Sequence, residues 1–154
     1  MPVMEKAAKV LNNFKIPFEI LALSAHRTPE AVEKFAKNAE NNGIKVIIAA
    51  AGMAAHLPGV IAASTTVPVI GVPISATLQG IDALLAIVQM PPGIPVATVG
   101  INAAENAGIL AAQFIAMADE RVAHELAEYK TSLKNKIEKA NADLKEIHFE
   151  YKTN

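Results

Sequence analysis

Between Val46 and Ala104 the chain carries a single formally charged side chain, Asp82. A stretch of that length without charge does not fold with water on every side, so it belongs in a bilayer, in a core, or against another subunit. A membrane span is excluded by punctuation. Gly52, Pro58, Gly59, Pro68, Gly71, Pro73, Gly80, Pro91, Pro92, Gly93 and Pro95 interrupt every apolar run before it reaches the about 18 residues that a spanning helix needs. What remains is a set of strands buried on both faces, with small-residue helices packed against something other than water. In a chain of 154 residues, enough for one domain with its own core, that something is expected to be another copy of the chain.

The 14 basic and 15 acidic residues therefore crowd into the two ends, and their near balance points to neither a nucleic-acid nor a membrane-surface partner. With no cysteine there are no disulfides and no thiolate metal sites, which fits a cytoplasmic protein. The start turns charged at Glu5 and Lys6, unlike a signal peptide. The sequence reads as one domain over residues 1–154, with 118–150 as a helical extension of it.

Periodicity supplies the elements. Pro2 to Phe14 reads as a helix with Val3, Ala7, Val10 and Leu11 on one face. Ile16 to Leu23 reads as a strand. Thr28-Pro29-Glu30 is a helix start with a hydroxyl cap, proline in the first turn and an early acid, and that helix runs to Asn41-Asn42-Gly43, where glycine accepts a left-handed cap. Ile44 to Ala49, Val67 to Pro73 and Ile94 to Val99 read as short, buried parallel strands. Helices are expected at Leu57 to Thr66, Leu78 to Met90 and Asn102 to Met117. Asp82 is either a solvated helix residue or a polar contact at a subunit boundary. From Asp119 to about Ile147, apolar residues recur at steps of three and four between charges, the pattern of a long amphipathic helix. His124 and His148 read as solvated on it. Strands alternating with helices give a three-layer αβα sandwich on a parallel sheet.

The two remaining histidines stand at strand-to-helix turns, where ligands sit in open α/β sheets. In Ser24-Ala25-His26-Arg27-Thr28-Pro29, a side chain that titrates near neutrality adjoins a permanent cation whose donor fork suits phosphate or carboxylate. By itself such a pair is more often a solvated cap than a site. In Ala50-Ala51-Gly52-Met53-Ala54-Ala55-His56-Leu57-Pro58-Gly59, small residues permit close approach to the backbone, and His56 is the only large polar group. His56 alone would be a structural histidine capping the next helix.

These two turns, with Gly71-Val72-Pro73, Ile87-Val88-Gln89-Met90-Pro91 and Gly93-Ile94-Pro95-Val96-Ala97-Thr98, resemble the class I PurE family nearly end to end and in the same order. Members of that family are N5-carboxyaminoimidazole ribonucleotide mutases of de novo purine synthesis. The resemblance implies a flavodoxin-like subunit in a homo-octamer, a ribonucleotide substrate, no metal and no cofactor. It implies that His26 is the general acid/base and Arg27 a phosphate ligand, with Ser24, Ala25, Gly52, Ala54, Ala55, His56 and Leu57 around the substrate. Relatives of the eukaryotic type that take up carbon dioxide directly are expected to carry a different second loop.

Two departures accompany the resemblance. Met53 stands where the family usually has glycine. Family members also begin with an apolar strand and a Gly-Ser-x-Ser-Asp loop, whereas this chain opens at the helix that should follow. That strand would lie between Ile20 and Ile47, so either the sheet rearranges or the natural chain starts before Met1. The alternatives to a mutase are an aminoimidazole ribonucleotide carboxylase using carbon dioxide directly, and an inactive nucleotide-binding or structural homologue.

Overall fold

The computed structural model describes residues 2–154; Met1, where the expected displaced start falls, lies outside them. Two six-residue runs, Ile47–Gly52 (β1) and Val69–Ile74 (β2), contain almost nothing but β-branched and small side chains. They pair in parallel from Ile47↔Val69 to Gly52↔Ile74. A two-residue strand, Ala97–Thr98 (β3), adds to the other side of β2 through Ile70↔Ala97 and Gly71↔Thr98, so the order is β1-β2-β3. Parallel neighbours require crossovers, supplied here by helices Leu57–Ala62 (α3) and Ile81–Val88 (α4).

Side chains alternate along a strand, and both faces are covered. Ile47, Ala49 and Val69 pack with Val32 and Ala36 of helix Pro29–Asn38 (α2) and Ile61 of α3. Ile70 and Val72 pack on the opposite face with Ala7 of helix Pro2–Asn13 (α1) and Ala104, Ala107 and Ala111 of helix Ala104–Ala116 (α5). The result is the three-layer α/β sandwich expected from the alternation of elements. Helix Glu120–Lys145 (α6) is capped by the Asp119 side chain, which accepts from Val122 N at 3.0 Å. Its first turns bury Val122 and Leu126 beside Phe14, Ile16 and Ala112. Beyond them, Leu133, Ile137 and Leu144 are exposed, so the apolar stripe outruns what its own chain covers. His124 and His148 are exposed, as their charged surroundings suggest.

The strand expected over Ile16–Leu23 does not form. Ile16 N bonds Leu11 O at the end of α1 (2.9 Å) and Leu23 touches the core beside α2, but Ile20 and Leu21 are 60% and 54% exposed. A strand exists only as half of a ladder, and β1, which should be inner, is the sheet edge facing this segment. The sheet therefore does not rearrange to absorb the segment. The other elements lie within a few residues of their expected places. The Val96 region yields only two paired residues, and Leu78–Gly80 forms a 3-10 turn ahead of α4.

Gly71 is the contact on which α4 depends. A Cβ there would stand 2.3 Å from Ile87 Cγ2 and 3.0 Å from Val96 Cγ1, and Cγ2 branches directly from Cβ, so no rotation of a chain end relieves the clash. Gly71→Ala is expected to lower stability by about 1–3 kcal/mol, the usual cost of overpacking, read as a lower midpoint in urea unfolding. An unchanged midpoint would show that α4 is not seated on β2 in this way.

Candidate active site

All three strands deliver their following loops to one edge of the sheet, because parallel strands point their carboxyl ends the same way. Among the described residues, five of the six non-glycine positions with positive φ lie in those loops: Met53 and Ala55 after β1, Leu78 and Gln79 after β2, and Asn102 after β3. Such backbones cost on the order of 1–3 kcal/mol each and persist where surrounding structure holds them, commonly at functional sites.

The Ser24–Thr28 turn stands beside this edge, and its hydroxyls organise it. Thr28 Oγ1 accepts from Ser24 N (2.9 Å) and donates to Ser24 O (3.1 Å), while Thr28 N also donates to Ser24 O (2.9 Å). The expected hydroxyl cap on α2 is thus absent: Thr28 makes no side-chain cap bond to the helix, and its hydroxyl turns back to close the loop instead. Ser24 Oγ accepts from Arg27 N at 3.2 Å and lies 3.5 Å from Arg27 Nε. Among the described residues the terminal nitrogens of Arg27 have no protein partner, which leaves a planar donor fork open to an anion.

After β1 the chain turns at once, Ala55 N bonding Gly52 O at 3.1 Å. Met53 takes φ 57° and is 59% exposed. Methionine at the position where glycine was expected therefore keeps the left-handed path and carries its strain. Ala55 is 3% exposed and packs against Ala83 and Ile87 of α4, so it offers a ligand backbone only. Ala54 faces out, Gly52 closes the strand, and Leu57 is half-buried against the core beside α2. His56 precedes α3, its carbonyl accepting from Val60 N at 3.0 Å, and makes no side-chain cap.

The two turns meet through their histidines. His26 Nε2 and His56 Nδ1 are 2.7 Å apart, with ring centroids 4.9 Å apart and planes at 89°. Thus Ser24, Ala25, His26 and Arg27 stand opposite Gly52, Ala54 and His56, with a proton carrier and an open cation on one rim and an apolar loop on the other. Among the described residues no group of three or more His, Asp or Glu is arranged to hold a metal, and no helix is long and apolar enough to cross a membrane.

Sequence reasoning missed the posts that hold this edge. Asn102 Oδ1 accepts from Ser75 N (3.0 Å) and Asn102 N donates to Pro73 O (2.8 Å), tying the end of β2 to the start of α5. Thr77 Oγ1 donates to Asp82, tying the loop after β2 to the first turn of α4. An asparagine tolerant of positive φ was the available signal for the first; nothing local marks the second.

The family model described as AIR carboxylase matches residues 1–136. The N5-carboxyaminoimidazole ribonucleotide mutase of Methanocaldococcus jannaschii is 52% identical over 147 residues, covering 96% of this chain and 92% of that one. A phosphoribosylaminoimidazole carboxylase of Candida glabrata is 48% identical over 151 residues, 97% of this chain and 26% of the longer protein. Among solved structures, the crystal structure of Treponema denticola PurE superposes with a TM-score of 0.83 at 30% identity, covering 94% of this chain and 91% of that one.

Because Thr28 Oγ1 serves as both acceptor and donor to Ser24, Thr28→Val is expected to cost about 1–2 kcal/mol, measured by chemical unfolding. Thr28→Ser, which keeps the hydroxyl, should cost less. A loss in Thr28→Ser with none in Thr28→Val would mean that the methyl, not the hydroxyl, matters.

Proposed function

The chain belongs to the AIR carboxylase family, and from that premise we propose that it is a mutase converting N5-carboxyaminoimidazole ribonucleotide to 4-carboxy-5-aminoimidazole ribonucleotide in purine biosynthesis, with His26 as its general acid/base. The observation that carries the residue assignment is the pairing of a histidine with an open arginine fork at the carboxyl edge of the sheet, facing a loop of small side chains.

The chemistry asks for little more. Protonated His26 gives its proton to the exocyclic nitrogen, the N–C bond breaks, and carbon dioxide leaves with the electron pair returned to nitrogen. The electron-rich ring carbon then attacks the trapped gas, and neutral His26 removes the proton from that carbon, which restores the imidazolium. The proton returns to where it began, so no further reactant is consumed. Arg27 holds the phosphate. Ser24, Ala25, Gly52, Ala54, Ala55, His56 and Leu57 line the substrate, and the small loop keeps water from the gas.

The same reading makes residues 1–154 one functional domain in a cytoplasmic homo-octamer. Exposed Leu78, Ile81, Leu85 and Val88 make an uncharged face along α4, and Leu133, Ile137 and Leu144 make another along α6. Two apolar faces on one chain support assembly beyond a dimer. The alternative, a carboxylase like the Candida relative, would start from the unmodified aminoimidazole ribonucleotide and take its carbon dioxide from solution.

His26→Asn is expected to lower kcat about 10²–10⁴-fold while nucleotide still binds. Arg27→Ala should raise KM about 10–100-fold, as for loss of a charge-assisted bond of about 1.5–3 kcal/mol, with kcat less affected. Near-normal turnover of His26→Asn would remove that residue from the mechanism. Turnover that requires added bicarbonate and unmodified aminoimidazole ribonucleotide would favour the carboxylase. Native mass spectrometry should give eight times the 16.2 kDa chain mass; a monomer would overturn the assembly.

A further inference from the structure

We propose that His56 is a positioning residue that fixes which nitrogen of His26 exchanges the proton: His56 Nδ1 accepts from His26 Nε2–H, which leaves Nδ1 of His26 as the working nitrogen. This rests on the reading of His26 as the general acid/base.

A hydrogen bond between two imidazoles needs one N–H and one lone pair. At 2.7 Å between Nε2 of His26 and Nδ1 of His56, the two rings cannot both be imidazolium, since each facing nitrogen would then carry a proton. To act as an acid, His26 has to be the charged member, with N–H at both nitrogens. Its Nε2–H therefore donates, the Nδ1 lone pair of His56 accepts, and His56 is neutral with its proton on Nε2. Loss of the Nε2 proton would leave two facing lone pairs, or require His56 to change tautomer. Loss of the Nδ1 proton leaves the bond as it was, so His26 passes between the imidazolium and the neutral Nε2–H form without moving its partner. Among the described residues Nδ1 of His26 has no hydrogen-bond partner, so it is free for substrate.

The pair is also well placed to hold a ring. His56 comes off a short turn whose Ala55 is pinned in the core and whose carbonyl already starts α3. His26 rides on a loop closed by the Ser24 and Thr28 hydroxyls. The perpendicular rings, at 89°, aim the donor of one at the lone pair of the other. The hydrogen bond thus joins two independently anchored loops and sets the orientation of His26, the part the carboxylate plays for the histidine of a serine-protease triad.

The test compares three substitutions of His56. The amide of asparagine reaches the place of Nδ1, that of glutamine the place of Nε2, and leucine supplies neither. His56→Leu and His56→Gln are expected to lower kcat at least about tenfold with KM within about twofold, and His56→Asn to recover kcat to within about threefold. Equal loss in all three would overturn the proposal, as would a rise in KM with kcat preserved, which would make His56 a substrate contact with no part in orienting His26. A second measurement needs no turnover. In ¹⁵N NMR of the wild-type chain with both rings neutral, His26 should show a protonated Nε2 and a bare Nδ1; the opposite tautomer would overturn the assignment even if the variants behaved as expected. If the intact chain proves to have no mutase activity, the functional reading fails and the tautomer still reports the direction of this bond.

Discussion

The parallel ladder from Ile47↔Val69 to Gly52↔Ile74 is the constraint on which the site depends. Because β1 and β2 end together, the turn that carries His56 and the loop that begins at Ser75 start from the same edge. Because both strands are buried on both faces, a one-residue slip would exchange every side chain between the α2 and α5 layers, which differ in shape. On the α4 side the fit is set by Gly71, whose missing side chain admits Ile87. Fully burying residues such as Ile70, Val72 and Ile87 contributes on the order of 1.5–3 kcal/mol each. Placement of His56 is thus a by-product of core packing rather than of contacts at the rim.

The rim itself is held by a few polar groups. The loop after β1 accepts two left-handed residues, Met53 and Ala55, with burial of Ala55 as the anchor. Asn102 bridges the end of β2 to the start of α5. Thr28 closes the His26 turn. None of these groups is ionisable, so the frame around the two histidines keeps its hydrogen bonds whatever the protonation of the rings. The proton transfer proposed for His26, out and back, needs a frame of that kind, since its second step returns to the geometry of the first.

Charge is distributed to match. The middle of the chain is spared charge because both faces of its sheet are covered and because the outer side of α4 remains apolar. The ends carry the charge because α1, α2 and α6 present solvated sides. Some of the cations and anions of α6 stand in ion pairs, such as Arg121 with Glu125 (3.2 Å) and Lys134 with Glu138 (3.3 Å). The exposed Lys134–Glu138 pair adds little stability, whereas Arg121 also donates to Phe14 O at 2.9 Å and so ties α6 to the end of α1.

The sequence by itself determined the layer order, the buried parallel strands and the two histidine turns, because those follow from period, punctuation and the absence of charge, all of which are local. It also carried the family, since motifs in fixed order survive any uncertainty about boundaries. Tertiary structure alone decided that residues 16–23 remain unpaired, because a strand is defined by its neighbour and no strand of the sheet pairs with this segment. It decided that the Thr28 hydroxyl closes its own loop rather than capping a helix, since both uses suit the same residue type. And it decided that His26 and His56, thirty positions apart in the chain, stand 2.7 Å from each other. That contact is set by where the loop after β1 meets the turn before α2, which no stretch of sequence encodes alone.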